Sequence, residues 1–347
     1  MAKKISISEL IQHHQETPVF DVRSPGEFSH AHIPTAFNLP LFTDEERRIV
    51  GTAYKQQGKQ PAIKLGLEFF GVKMKTMVEL VESELKYQNY LSKKIIVHCW
   101  RGGMRSAGVS WLLELYGYEV YVLAGGYKSF RNWVLNQLTL SYKMKVLGGY
   151  TGSSKTALLK SLQSVQQNII DLEAIANHKG SAFGGIGQQP QPTQEMFENK
   201  LAIELSNTIR AGIETTFWIE DESQRIGTIN IPHSFWKTMR SSILHFIDIP
   251  FEERLNYIIK EYGELDNQSL IDATLRIQKR LGPNETKITV GYFKENNIRE
   301  AFIILLQYYD KTYLQALNKR EEAGQKIVKH FASNIDVEKN AEILQLI

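Results

Sequence analysis

Residues Ile95-Ile96-Val97-His98 make a short apolar run that ends on Cys99, the only cysteine in a chain of 347 residues. Trp100-Arg101-Gly102-Gly103-Met104 then turns the chain, and Arg105-Ser106 opens a helical stretch reaching to about Gly117. A buried strand, a tight glycine-containing loop and a helix in that order belong to an α/β layer. The geometry aims several backbone N–H groups and a helix N-terminus at one point, which makes an anion site. A thiol there loses its proton readily, because the amides, the helix end and the nearby Arg101 and Arg105 all favour thiolate. Most free cysteines are small buried apolar residues. The two arginines and two glycines that crowd this one argue instead for a nucleophile or a chalcogen carrier.

The length suits two domains better than one core. A single cysteine excludes an internal disulfide framework and a Cys-rich zinc or iron–sulfur site, and it points to a reducing compartment. No run approaches ~18 consecutive apolar residues, and the basic start Met1-Ala2-Lys3-Lys4 has no apolar core behind it. A cytoplasmic protein with no membrane partner is the expectation. The net charge of +3 is too mild to indicate nucleic acid, so any such surface has to be a local patch.

A short amphipathic helix (Ile7 to His14) leads into Pro18-Val19-Phe20-Asp21-Val22-Arg23, a strand ending in an Asp-x-Arg pair. The run Asp21-Val22-Arg23, Glu27-Phe28, His32-Ile33-Pro34, Ala36, Asn38-Leu39-Pro40 resembles the rhodanese signature, as does the closing strand and turn Val120-Tyr121-Val122-Leu123-Ala124-Gly125-Gly126. Histidines 13, 14, 30 and 32 are expected to bond locally, not to ligate a metal. The resemblance implies a rhodanese-like domain over 1–140 with a helical insert at 43–91. Thr43 and Glu46 form a capping box at the start of that insert. Lys59, Lys64, Lys73 and Lys75, with Tyr54, Phe69 and Phe70 between them, make either a nucleic-acid face or solvated helix surface. A typical sulfurtransferase has four residues between cysteine and arginine, whereas Trp100 to Met104 makes five. The wider loop suits a tetrahedral, phosphate-sized group, and Cys99-x5-Arg105-Ser106 also matches the cysteine-phosphatase signature.

A second cradle follows in 141–347, a region expected to be a P-loop NTPase-like parallel-sheet domain with a helical C-terminal part. Lys145-Val146-Leu147 is a strand, Gly148 to Thr156 a glycine-rich loop, and Ala157 to Leu162 a helix. Gly149, Thr151, Gly152, Ser153, Ser154, Lys155 and Thr156 form a P-loop, with Ser154 in place of the glycine before the lysine. Strands at 168–172, 215–219 and 243–249 alternate with helices at 194–210, 235–240 and 251–262, which implies a parallel sheet. Asp171 and Glu173 end one strand and Glu220, Asp221 and Glu222 end another, where a Walker-B-type carboxylate sits, and N-capping is their alternative. Residues 178–193, rich in glycine with two prolines, form a long loop placed to cover a P-loop ligand, and Arg225-Ile226-Gly227 is a further contact candidate. From Ser269 onward the chain reads as helical. Arg276, Lys279 and Arg280 fall at i, i+3 and i+4 as one basic stripe, and Tyr308, Tyr309 and Tyr313 read as half-buried packing.

The widened loop Cys99 to Ser106, joined to this P-loop and to Asp44-Glu45-Glu46-Arg47, Asn177 to Gly184 and Glu220-Asp221-Glu222-Ser223, is similar to the tRNA 2-selenouridine synthase family over nearly the whole chain. The resemblance implies replacement of the sulfur of 2-thiouridine at the tRNA wobble position by selenium from selenophosphate. It further implies an S-geranyl intermediate made with geranyl diphosphate. Selenium would pass to Cys99 in a cradle formed with Arg101 and Arg105. Lys155 and the loop amides would stabilise departing pyrophosphate. Selenophosphate and geranyl diphosphate are then co-substrates, Mg²⁺ is a candidate and no tightly bound cofactor or resident metal is expected. The partners implied are a tRNA anticodon loop, small phosphates and a selenophosphate-producing enzyme. Trp100 is a candidate base stacker, with Arg276, Lys279 and Arg280 as candidate tRNA contacts. A cysteine phosphatase or a thiosulfate sulfurtransferase using Cys99 is the competing reading.

Overall fold

The computed structural model describes residues 2–210 and 216–345. The chain divides into two compact units, Met1–Gln137 with Glu198–Ile203, and Leu138–Phe197 with Glu204–Ile347. No helix among the described residues is long and apolar enough to cross a membrane.

The first unit runs β1 (Lys3–Ile5), α1 (Ile7–His13), β2 (Val19–Asp21), α2 (Pro25–His30), β3 (Ala36–Asn38), α3 (Asp44–Gln57), α4 (Lys59–Gly71), α5 (Met74–Tyr87), β4 (Lys94–His98), α6 (Met104–Tyr116), β5 (Glu119–Leu123) and α7 (Gly126–Gln137). Its five strands are all parallel in the order β1-β5-β4-β2-β3. A parallel strand covered on both faces needs an unbroken apolar run, and Ile95, Ile96 and Val97 of central β4 are at most 2% exposed. Strand β1 was not foreseen, since Lys-Lys-Ile has no apolar run; it forms at the sheet edge by pairing with β5.

In the insert, Thr43 Oγ1 accepts the Glu46 N–H at 3.2 Å and the Glu46 carboxylate accepts the Thr43 N–H at 2.8 Å. Helix α5 drops Met77, Val78, Val81 and Leu85 onto a core shared with Val109, Leu112 and Leu113 of α6. Each such aliphatic side chain contributes about 1.5–3 kcal/mol by leaving water. Phe70 is buried in the same cluster and Phe69 packs against it, so these aromatics face the interior and not a nucleic-acid ligand.

The second unit runs β6 (Met144–Gly149), α8 (Lys155–Ser164), β7 (Asn168–Ile170), α9 (Leu172–Ala176), α10 (Gln194–Arg210), β8 (Phe217–Glu220), β9 (Arg225–Ile226), β10 (Ile229–Asn230), α11 (His233–Ser241), β11 (Leu244–Asp248), α12 (Phe251–Tyr262), α13 (Asn267–Arg276), α14 (Gln278–Leu281), α15 (Pro283–Lys294), α16 (Ile298–Glu322), β12 (Ile327–Phe331) and α17 (Val337–Gln345). Helix α10 is the element that contributes residues to both units. The main sheet is parallel, in the order β12-β11-β6-β8-β7, and β6 is central. Both glycine-containing loops thus leave the C-terminal end of a central strand, where open α/β sheets bind ligands.

Three expectations change here. The region after Ser269 is not wholly helical: β12 pairs in parallel with β11, Leu244 opposite Ile327. The basic stripe does not lie on one helix, because α13 ends at Arg276 and Ile277 turns its side chain into the apolar core before α14 begins. The strand foreseen at 168–172 stops at Ile170, and Asp171 becomes the N-cap of α9. The foreseen start of the next strand, Thr215, lies outside the described residues.

Candidate functional site

Strand β4 delivers Cys99 to the C-terminal end of the sheet beside β2, with Asp21 in register with His98. The Asp21 carboxylate takes Nε and Nη2 of Arg23, whose Nη2 also donates to the Ala31 carbonyl at 2.8 Å. Asp21, Arg23 and His98 are all buried, and the Arg23 guanidinium lies 3.8 Å from the Tyr127 ring centroid. Burial pushes the His98 imidazole down despite Asp21 at 3.8 Å, so the floor beneath the cysteine is a closed ion pair with a neutral histidine.

Cys99 is 3% exposed, and its sulfur accepts the Gly103 N–H at 3.3 Å and lies 3.4 Å from Ser106 Oγ. Burial pushes the thiol up. The Ser106 hydroxyl and the N–H groups of Ser106, Arg101 and Gly103 outweigh it, and the thiol ends below its ordinary value. Thiolate is therefore favoured by amides and a hydroxyl, as at other helix N-termini. The arginines do not do this directly. Arg105 Nη1 donates to Glu27 Oε2 at 2.8 Å, an oxygen shared with Arg47 at 2.9 Å, and Arg101 is exposed. The sequence names Ser106 only as the residue that closes the Cys99-x5-Arg105-Ser106 signature, and that place is its signal.

The loop is held from behind by the start of α7. Tyr127 N–H bonds the Cys99 carbonyl and Lys128 N–H the Trp100 carbonyl, both at 2.9 Å. Gly126 has φ +59°, and a Cβ there would stand 2.3 Å from the Cys99 oxygen and 2.5 Å from the Gly102 nitrogen. Trp100 is 39% exposed, with its ring centroid 5.6 Å from that of Tyr127.

The second cradle lies between β6 and α8. Ser154 sits at φ +52°, ψ 32°, the left-handed conformation that glycine adopts freely, at a cost of about 1–2 kcal/mol for a residue with a Cβ. Its Oγ and that of Ser153 are buried with no hydrogen-bond partner among the described residues. Lys155 Nζ rests on the Gly149 carbonyl at 3.2 Å. The first-turn N–H groups of α8 have no partners within the helix and point at the loop.

Thr156 Oγ1 donates to Glu173 Oε2 at 2.9 Å. Glu173, at the start of α9, meets Glu220 and Glu222, with one oxygen of each carboxylate within 4.8 Å of the others. Burial, then repulsion from Glu173, pushes Glu220 up to about 8. Glu222 is raised well above the usual carboxylate range by burial and its two neighbours, and Glu173 is raised chiefly by burial. Gly180 of the 178–193 loop (φ +70°) lies against them, so that a Cβ would stand 2.8 Å from Glu222 Oε1 and 3.0 Å from Glu173 Oε1.

The acidic candidates therefore separate. Glu220 joins the cluster near Thr156, Asp171 accepts the Ala174 N–H at 2.8 Å as a helix cap, and Asp221 turns away to Arg240 and Arg320, each at 2.7 Å, and to the Tyr313 hydroxyl. Glu173 and Glu222, read in the sequence only as strand-end acids, complete the cluster. Arg225 Nε bonds the carbonyl of its own turn residue Gly227 at 2.9 Å. Arg276, Lys279 and Arg280 are exposed, and Arg276 Nη1 reaches the Ala182 carbonyl at 3.5 Å.

Two family models match the chain. One described as the tRNA 2-selenouridine synthase AAA domain covers residues 142–337, and one described as a rhodanese-like domain covers residues 6–132. A protein of Sulfurovum sp. (strain NBC37-1) named tRNA 2-selenouridine synthase is 36% identical over 332 residues, 86% of this chain and 88% of that one. A protein of the same name from Hydrogenovibrio crunogenus is 35% identical over 336 residues, 88% of this chain and 90% of its own. A third, from Pseudomonas savastanoi pv. phaseolicola, is 34% identical and covers 93% of both. A crystallised N-terminal domain from Clostridium difficile 630 is 41% identical over 38% of this chain and 99% of its own, with a TM-score of 0.35.

Proposed function

The chain belongs to the tRNA 2-selenouridine synthase family, and from that premise we propose that it exchanges the sulfur of 2-thiouridine at the tRNA wobble position for selenium. Cys99 handles the selenium of selenophosphate, whose phosphate suits the amides of Arg101 to Ser106. The P-loop takes geranyl diphosphate. The thiocarbonyl sulfur attacks C1 of the geranyl group, the C–O bond breaks, pyrophosphate departs and the nucleobase N3 proton is lost. Lys155 and the loop amides carry the charge that develops on pyrophosphate. The selenium of selenophosphate then adds to C2, the C2–S bond breaks to release geranyl thiol, and water cleaves the Se–P bond to release phosphate.

The observation that carries this reading is the pairing of two different anion cradles in one chain. One is built on a thiol held below its ordinary value; the other is a P-loop whose lysine and helix amides suit a diphosphate. Mg²⁺ is the cation P-loops commonly use. The donor set fits it, since Glu220 Oε1 is buried with no hydrogen-bond partner among the described residues and stands beside two further carboxylates and the Thr156 hydroxyl. Thr156, Glu173, Glu220 and Glu222 would hold it, and it would supply positive charge to the leaving pyrophosphate. The phosphatase reading is not favoured, because a cysteine phosphatase has no use for the second, P-loop cradle and the chain's relatives carry the synthase name.

The test supplies 2-thiouridine-containing tRNA and geranyl diphosphate, with and without selenophosphate, to wild type, Cys99→Ala and Lys155→Ala, and reads digested nucleosides by mass spectrometry. Cys99→Ala is expected to block selenation and Lys155→Ala geranylation. An untouched nucleoside, with Cys99-dependent hydrolysis of an aryl phosphate, would overturn the reading in favour of a phosphatase.

A further inference from the structure

The Thr151 carbonyl of the P-loop is bonded by Arg254 Nη1 at 3.0 Å. Arg254 lies on α12, is 97% buried, and donates Nε to the Ile249 carbonyl at the end of β11 at 2.9 Å. Its guanidinium is also held in a fork by Asp310 of α16, Nη1 to Oδ1 at 2.9 Å and Nη2 to Oδ2 at 2.7 Å, and it lies 4.9 Å from the Tyr150 ring centroid. One residue further along the loop, Gly152 (φ +85°) presses on α12 so closely that a Cβ would stand 2.9 Å from the Arg254 carbonyl oxygen and from Ile258 Cγ1.

Tyr313 of α16 reaches the loop directly, three positions after Asp310 and so on the same helix face. Its hydroxyl accepts the Gly149 N–H at 3.4 Å and donates to Asp221. Tyr150 packs between the two attachments, its ring centroid 5.8 Å from that of Tyr313. Helix α16 therefore holds the loop directly at Gly149 and, through Arg254 of α12, at Thr151.

A trans peptide is planar, with its C=O and N–H on opposite sides. Holding the Thr151 carbonyl on Arg254 forces the Gly152 N–H to point away from Arg254. We propose that Arg254, fixed by Asp310, is a positioning residue that turns this peptide so that its N–H, and not its C=O, faces the bound phosphate. With the bond lost, the peptide can flip and present an oxygen to an anion. The helical C-terminal region thereby sets the anion affinity of a loop it does not belong to. The consequence for ligand binding rests on the diphosphate reading above; the orientation of the peptide does not.

Removing one member of a buried pair leaves an uncompensated charge, whereas replacing both by apolar side chains is often neutral for stability. The test is therefore the paired variant Arg254→Met with Asp310→Leu in the full chain, compared with wild type. Hydrogen exchange is followed at the amides of residues 149–156, and inorganic pyrophosphate binding is measured by calorimetry. The expected result is a melting temperature close to wild type, faster exchange in 149–156, and pyrophosphate binding weakened roughly ten- to a hundredfold, the scale of outer-shell losses at metal sites. Wild-type exchange and wild-type pyrophosphate affinity in the folded pair would overturn the proposal. Faster exchange with no pyrophosphate binding by wild type would leave the brace standing and remove the diphosphate reading. If the pair fails to fold, Asp310→Asn, which keeps the side-chain size and removes the charge, is put through the same two measurements with the same readings.

Discussion

Cys99 Sγ and Ser106 Oγ face each other at 3.4 Å across the anion loop, and the same hydroxyl lies 3.0 Å from the Gly103 carbonyl. One hydroxyl proton thus has two acceptors, and ionising the thiol shifts it towards sulfur. Ser106→Ala removes this donor while leaving the amides of Arg101 and Gly103 in place. The thiol should rise, so at any pH below its new midpoint less thiolate is present and alkylation is slower. With one cysteine in the chain, iodoacetamide labelling against pH reports this site alone. The midpoint should move up by about one to two units, the worth of one hydrogen bond to a charged group. An unmoved midpoint would mean that the amides alone set the thiol.

The glutamate cluster makes stability fall with rising pH. Glu220, pushed up to about 8, binds its proton more tightly in the folded chain than in the unfolded one. Its stabilising contribution is complete below the usual carboxylate range and is lost as pH rises through about 8. Each proton held only by the folded state contributes a slope of about 1.4 kcal/mol per pH unit. Glu220→Gln should flatten the fall in melting temperature between pH 5.5 and 8. Mg²⁺ should stabilise wild type more at pH 8 than at pH 5.5, because protons and cation compete for the same oxygens. Equal melting curves at both pH values, with and without Mg²⁺, would remove the cluster as a cation site.

Gly126 has no room for a side chain. The Cβ of Gly126→Ala would stand 2.3 Å from the Cys99 carbonyl oxygen at a positive φ, so the loop or the start of α7 has to move. The expected loss is about 2–4 kcal/mol, in the range of strained backbone replacements. The same shift removes the N–H bonds from Tyr127 and Lys128 that hold the loop. Chemical denaturation and iodoacetamide labelling should change together. A variant as stable as wild type with unchanged labelling would show that the nested turns are not what holds the cysteine.

The α/β character and both anion loops were legible because each is a contiguous signal: an apolar strand, a glycine turn and a helix in one run of residues. Features that depend on distant partners were not. Lys3-Lys4-Ile5 becomes a strand only because β5 offers an edge, and Ile327 to Phe331 only because β11 does. The break at Ile277 follows from the apolar core that takes its side chain. Glu173 and Glu222 meet from separate segments, and Asp221 is drawn off by Arg240 and Arg320, choices that no local spacing encodes. Arg105 reads as a ligand of the sulfur's anion until Glu27, brought beside it by the fold, takes it up.

Ser154 departs from the usual P-loop in residue type but not in backbone. It holds the left-handed conformation at φ +52° that glycine would adopt, and its hydroxyl, buried with no partner among the described residues, adds no internal bond in return. Ser154→Gly relieves the Cβ strain and gives the unfolded chain more freedom, two effects of about 1 kcal/mol and opposite sign. Stability should therefore change by less than about 1 kcal/mol, with pyrophosphate binding retained. Ser154→Val keeps a Cβ and adds branching that the left-handed region does not tolerate. That variant should lose about 1–3 kcal/mol and most of its pyrophosphate binding, because the strain is released by unwinding the first turn of α8, which carries Lys155 and Thr156. Denaturant melts and calorimetry on the two variants decide it. Equal behaviour of glycine and valine would show that the backbone at residue 154 does not set the cradle, and the serine would then have to act through its hydroxyl on the bound anion.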